Sequence, residues 1–143
     1  MCADFVAGGV SLLNGKKERV IDTDIIVDML RGVQESRDYL LRFGCGELLG
    51  LISAVTVAEL FAGRRTRNLT EALRVEIAIS VFHIVPITAE IARKAGKLVR
   101  DYGLNLPDAL IAATALFRDA ILVTRNVRDF QHIPNLRLEV PYA

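Results

Sequence analysis

Four short apolar runs, at 19–21, 49–54, 82–87 and 121–123, alternate along the chain with longer stretches of helical periodicity. That rhythm is the tightest constraint on the fold. A run that is apolar throughout suits a strand buried on both faces, and strands separated by helix-length segments pair in parallel. The expected architecture is α/β, with helices on both faces of a mainly parallel sheet of four to five strands. The fifth strand would be an edge strand at 136–140.

Local signals place the helices. Asp22 and Thr23 open one that carries Ile25, Ile26, Met29 and Leu30 and stops at Gly32. Tyr39, Leu40 and Phe43 sit at helical spacing in a second, over 35–43. Further helices are predicted at 56–62 and 69–80. Thr88 caps another that Gly103 ends, and Pro107 opens the last, reaching 118.

Composition narrows the class. The chain has 143 residues, enough for one domain with its own core. Its 52% apolar content and net charge of +1 exclude global disorder and a basic nucleic-acid coat. Cys2 and Cys45 have no zinc-site spacing; as separate thiols they fit a reducing compartment, and a disulfide between them is the alternative. No window approaches the roughly 20 apolar residues of a membrane span. The expected setting is cytoplasmic, without membrane contact. Residues 1–18 show no period and read as an N-terminal extension; 19–143 read as the domain. No phosphate-cradling glycine loop is present.

Acids recur where the apolar runs end. Asp22 follows the first run, and Glu59 lies in the helix after the second. Asp108 sits beside Pro107, and Asn126 and Asp129 follow the fourth run. In a parallel sheet the carboxyl ends of strands and the starts of the next helices share one edge, where ligands bind. Asp22, Glu59 and the Asn126/Asp129 pair would converge there, joined by Asp108 if its helix starts at the same edge. Gathered carboxylates repel unless a cation lies among them. An all-oxygen donor set suits a hard ion such as Mg2+ or Mn2+. Each acid also has a structural reading. Asp22 fits an N-cap, 56–59 fits a capping box, Asp108 complements a helix dipole, and Asn126 and Asp129 form turns. Spacing alone leaves both readings open.

The stretches VIDTDII (20–26), SAVTVAEL (53–60), LPDALIAATA (106–115) and LVTRNVRDF (122–130) carry these residues. In this order, they resemble the PIN domains, and within them the VapC-type toxins of prokaryotic toxin–antitoxin pairs. The resemblance implies a three-layer α/β/α fold and a metal-dependent endoribonuclease. It places Asp22 and Asp108 as principal ligands of Mg2+ or Mn2+, and Glu59 as a ligand directly or through water. The family's fourth acidic position falls on the uncharged Asn126, with Asp129 one helical turn further. Asp24 adds a carboxylate where the family often has a small polar residue. A homodimer and a VapB-type antitoxin are implied as partners, the latter commonly sending an arginine into the acidic site.

Hydrolysis of an RNA phosphodiester by such a site would rest on positioning and electrostatics, because no Ser/His or Cys/His nucleophile arrangement is present. Arg64 and Arg65, next to Arg67, and Arg125 and Arg128, beside the expected cleft, are candidates for RNA phosphates. Arg93, Lys97 and Arg100 read as a solvated helix face. His83, between Phe82 and Ile84, reads as a partly buried structural histidine. The alternatives are a PIN nuclease of RNA processing and a degenerate PIN domain that binds RNA or a partner without cutting. Asn126 favours the last; Asp22, Glu59 and Asp108 oppose it.

Overall fold

The structure is a computed structural model and describes residues 17–143. Residues 1–16, which hold Cys2 and most of the expected extension, lie outside the described residues. Regular structure begins one residue before the expected boundary. The order is β1 (Glu18–Ile21), α1 (Thr23–Leu30), α2 (Gln34–Gly44), β2 (Leu49–Ser53), α3 (Ala54–Ala62), a 3-10 turn (Arg64–Arg67) and α4 (Leu69–Ile79). Then follow β3 (His83–Val85), α5 (Ala89–Tyr102), α6 (Leu106–Phe117), β4 (Ile121–Val123), α7 (Val127–Phe130) and β5 (Leu138–Glu139).

All strand pairs are parallel, and the sheet runs β3-β2-β1-β4-β5. Side chains alternate between its faces, as the strand period of two requires. Val20, Leu51 and Leu122 point to one side, where they pack with Ile91, Leu98 and Ile111 of α5 and α6. Ile21, Ile52 and Val123 point to the other, against Ile25, Tyr39, Phe43 and Val75 of α1, α2 and α4. The three-layer arrangement expected from the apolar runs is therefore present, with a core on each face of the sheet.

Several boundaries differ from the sequence reading for physical reasons. The third strand is confined to three residues, because Phe82 turns into the core and Pro86 lacks the N–H a ladder needs. His83 is exposed rather than partly buried, because this short strand stands at the edge of the sheet. The edge strand β5 shrinks to two residues. The helix after β2 starts at Ala54 instead of Thr56, since the Ser53 hydroxyl caps it by accepting the Val55 N–H at 3.1 Å.

Gly50 in β2 is fixed by the aromatic pair beneath it. A Cβ there would lie 2.6 Å from Phe43 Cδ1 and 2.7 Å from Phe82 Cδ1. Those rings meet at a centroid distance of 5.6 Å in the packed core, so neither can swing aside freely. Gly50→Ala is expected to cost roughly 2 kcal/mol of stability through overpacking. Denaturant unfolding of the purified variant measures this directly.

Candidate active site

The carboxyl edge of the central strands determines which side chains meet. Ile21 pairs with Val123, and the Asp22 N–H donates to the Val123 carbonyl at 2.9 Å, which sets Asp22 beside Thr124. Asp22 is 5% exposed and does two local tasks. Its Oδ1 accepts the Thr23 N–H at 2.8 Å, capping α1, and its Oδ2 accepts the Thr124 hydroxyl at 2.7 Å. The N-cap reading of Asp22 is thus correct, and it coexists with a position at the floor of a cleft.

That cleft, about 320 Å3, is lined by Asp22, Thr23, Asp24, Val27, Asp28, Arg31, Glu59, Asp108 and Asn126. Asp108 arrives because α6 starts at this edge, with Asn105 Oδ1 accepting the Asp108 N–H at 2.9 Å. Glu59 arrives one turn into α3. It is not the glutamate of a capping box, since Ser53 occupies the cap and Thr56 is buried inside the helix. Glu59 Oε1 instead accepts the Thr23 hydroxyl at 2.7 Å, and that hydroxyl also lies 3.0 Å from the Thr56 hydroxyl. A threonine pair thereby ties α1 to α3 and holds the glutamate against the first acid.

Of the two candidates for the fourth position, Asn126 lines the cleft. Its Nδ2 donates to Asp129 Oδ2 at 2.8 Å. Asp129 is outside the lining, yet near enough to act on Asp108 electrostatically. Arg64 and Arg65 line an adjoining cavity of about 210 Å3 that shares Val27, Arg31 and Glu59 with the acidic cleft. Arg125 is at the rim, paired with Asp28 at 2.9 Å. Arg128 is exposed on α7 and does not line the cleft.

The electrostatics are those of crowded acids. Burial, then Asp24 and Asp108, push Asp22 up to about 7 against the opposing bonds from Thr124 and Thr23. Burial, then Glu59 and Asp129, raise Asp108. Burial also raises Asp24, whose Oδ1 is enclosed without a hydrogen-bond partner. A buried acceptor left unpaired is costly, so this oxygen is a place where a cation would be stabilised. Among the described residues no histidine or cysteine lines the cleft, and its oxygen donors suit a hard divalent ion. Among the described residues, no three His, Cys, Asp or Glu side chains are already closed into a ligand cluster, so gathering them onto an ion takes side-chain movement.

Sequence reasoning missed Asp28, Thr23 and Arg31 as cleft residues. Asp28 and Arg31 follow Asp24 by four and seven residues, which is one face of α1 and was a legible signal.

An acid-lined cleft at the carboxyl edge of a parallel sheet, between helix starts, defines a class of α/β proteins. The chain belongs to the PIN domain family, whose description matches residues 19–136. It is similar to the protein named Ribonuclease VapC10 of Mycobacterium tuberculosis, with 37% identity over 123 residues covering 82% of this chain and 90% of that protein. To Ribonuclease VapC19 of the same organism the identity is 39% over 125 residues, covering 83% and 97%. A solved toxin–antitoxin complex from Klebsiella pneumoniae superposes with a TM-score of 0.72 at 33% identity, over 87% of this chain and 98% of that one.

Proposed function

We propose that this chain is a divalent-metal-dependent endoribonuclease and the toxin of a toxin–antitoxin pair. The observation that carries the reading is the meeting of Asp22, Glu59 and Asp108 in one cleft, though they come from three separate stretches of sequence. Similarity to proteins named ribonuclease VapC and to a toxin–antitoxin complex supports it.

In this reading Asp22 and Asp108 hold Mg2+ or Mn2+, with Asp24 and Glu59 within reach. Bound there, such an ion would lower the pKa of a water and offset charge on the phosphoryl oxygens. Glu59, oriented by the Thr23 hydroxyl, would align the attacking water and take its proton as a new P–O bond forms and the P–O bond to the departing ribose oxygen breaks, that oxygen taking a proton from solvent. Thr124 keeps Asp22 aimed at the cleft. Arg64 and Arg65 meet phosphates of the strand beyond the acidic pocket, where like-signed acids would otherwise repel RNA. An antitoxin would cover apolar surface left open on the domain. Leu69, Leu73 and Ile77, spaced four apart on α4, are 74%, 52% and 70% exposed.

A non-cutting PIN domain is the second reading, favoured by the amide of Asn126 in an acidic position. Incubating the purified chain with labelled RNA separates the two. Cleavage that needs Mg2+ or Mn2+ and stops with excess EDTA is expected. Binding without cleavage at any ion concentration would establish the second reading, and cleavage undiminished by EDTA would remove the ion from the mechanism.

A further inference from the structure

Arg125 is a basic side chain beside the acids, paired with the cleft-lining Asp28, and its environment is built from distant parts of the chain. Its Nη1 donates to Asp28 Oδ2 at 2.9 Å. The same carboxylate oxygen accepts the Tyr142 hydroxyl at 2.7 Å. The Tyr142 ring lies under the guanidinium, 5.4 Å from its carbon to the ring centroid. Asp28 comes from α1 and lines the cleft, Arg125 follows β4, and Tyr142 is in the tail after β5. Burial and the neighbouring Asp28 push the tyrosine up to about 12, so its hydroxyl keeps the proton it donates.

Asp28 is mostly enclosed, at 15% side-chain exposure, whereas Arg125 retains 45%. An exposed salt bridge between mobile side chains is worth little. This one is different in kind, because the acceptor is fixed by a second donor and the cation is backed by a ring. A guanidinium carries five N–H donors in a rigid fork, and the hydrogen bond to Asp28 engages one of its nitrogens. The remaining donors belong to a partly exposed side chain that is backed by the Tyr142 ring and stands beside the cleft-lining Asp28. Such pre-organisation lowers the entropy lost when a phosphate is gripped.

We infer that Asp28 and the tail residue Tyr142 are positioning residues that hold Arg125 as a clamp for an RNA phosphate next to the bond being cut. The inference rests on the ribonuclease reading and adds the residues that fix the strand at this rim. It also makes the C-terminal tail part of the substrate site.

The test measures binding of a fluorescein-labelled, mixed-sequence single-stranded RNA to the full chain at several KCl concentrations, alongside steady-state cleavage with Mg2+. Arg125→Ala is expected to weaken binding about 10-fold, the value of one charge-assisted contact. It should also flatten the salt dependence by about 0.7 in slope, one phosphate on a single strand. Tyr142→Ala and Asp28→Asn should each weaken binding about 3- to 5-fold, smaller than removing the clamp itself. Tyr142→Phe, which keeps the ring, should recover part of the loss. In the Arg125→Ala background, Tyr142→Ala should have no further effect. In cleavage the losses should fall on KM rather than kcat.

If Asp28→Asn tightens binding, Asp28 sequesters the arginine instead of aiming it, and the inference is overturned. It is equally overturned if the Tyr142 effect persists undiminished without Arg125, or if the Tyr142 and Asp28 variants bind like the parent. In those cases a parent chain that still cleaves RNA leaves the ribonuclease reading standing. A parent chain that neither binds nor cleaves RNA removes both.

Discussion

Asp108→Asn is expected to reduce RNA cleavage by about a thousandfold and, at the same time, to stabilise the protein free of divalent ions. The two effects have one cause. Asp108 sits among Glu59, Asp129 and Asp24, each of which raises it, after burial has done so. A charge held in such company lowers the stability of the fold and is useful only if a cation comes to share it. The amide has the same shape, keeps the backbone N–H that Asn105 caps and removes the repulsion. If Asp108 is a principal ligand as proposed, its loss removes transition-state stabilisation of the size seen when a preorganised electrostatic contact is deleted, about 3–4 kcal/mol. The gain in stability is smaller, of order 1 kcal/mol, because this carboxyl is only half-buried and solvent screens part of the repulsion. Single-turnover cleavage and thermal melting in EDTA measure the pair. A variant that is inactive and also less stable would mean that Asp108 serves the fold rather than an ion. A variant that is fully active would remove Asp108 from the site. Asp22→Asn is a poorer probe, since that residue also caps α1 and bonds Thr124.

The same cluster shows what a sequence discloses. The meeting of Asp22 and Glu59 was legible because parallel strands place their carboxyl ends on one edge, so position along the chain became position in space; Asp108 follows a helix instead of a strand, and its arrival hung on where α6 starts. The apolar runs disclosed the sheet for a similar reason. Val20 against Ile21, and Leu122 against Val123, can all be apolar only if both faces are covered. Where the reading failed, a contact from far along the chain had decided the outcome. Ser53 rather than Thr56 caps α3, because the Thr56 hydroxyl is taken up with Thr23, 33 residues away. The Asp28–Tyr142 bond spans 114 residues and leaves no local pattern at either end. Two- and three-residue strands such as β5 and β3 are set by pairing with a neighbour and are too short to show a period.

The second large effect is a pH dependence whose sign is unusual for a carboxylate. Asp22 is raised from 3.8 to about 7, so between these values the folded protein holds a proton that the unfolded chain has released. Stability of the ion-free protein must therefore fall as pH rises through this window, by about 4 kcal/mol if Asp22 acts alone. Asp24 and Asp108 are raised too and add in the same direction. Asp101 and Asp119 are lowered by their cationic neighbours, but they are exposed and titrate below the window. A divalent ion held as proposed would reverse the trend, since it would bind the ionised cluster and only the folded state presents it. Below about pH 7 the ion must displace the proton of Asp22, and its apparent affinity should drop about tenfold per unit of pH. Thermal melts at about pH 5 and pH 8, with EDTA or with MgCl2, read all of this. In EDTA the midpoint should be lower at pH 8, and Mg2+ should raise it there but barely at pH 5. Asp22→Asn should flatten both profiles. A midpoint that climbs with pH in EDTA would mean that the Asp22 carboxylate is stabilised in the fold without an ion. A Mg2+ effect equal at both pH values would mean that the ion binds elsewhere.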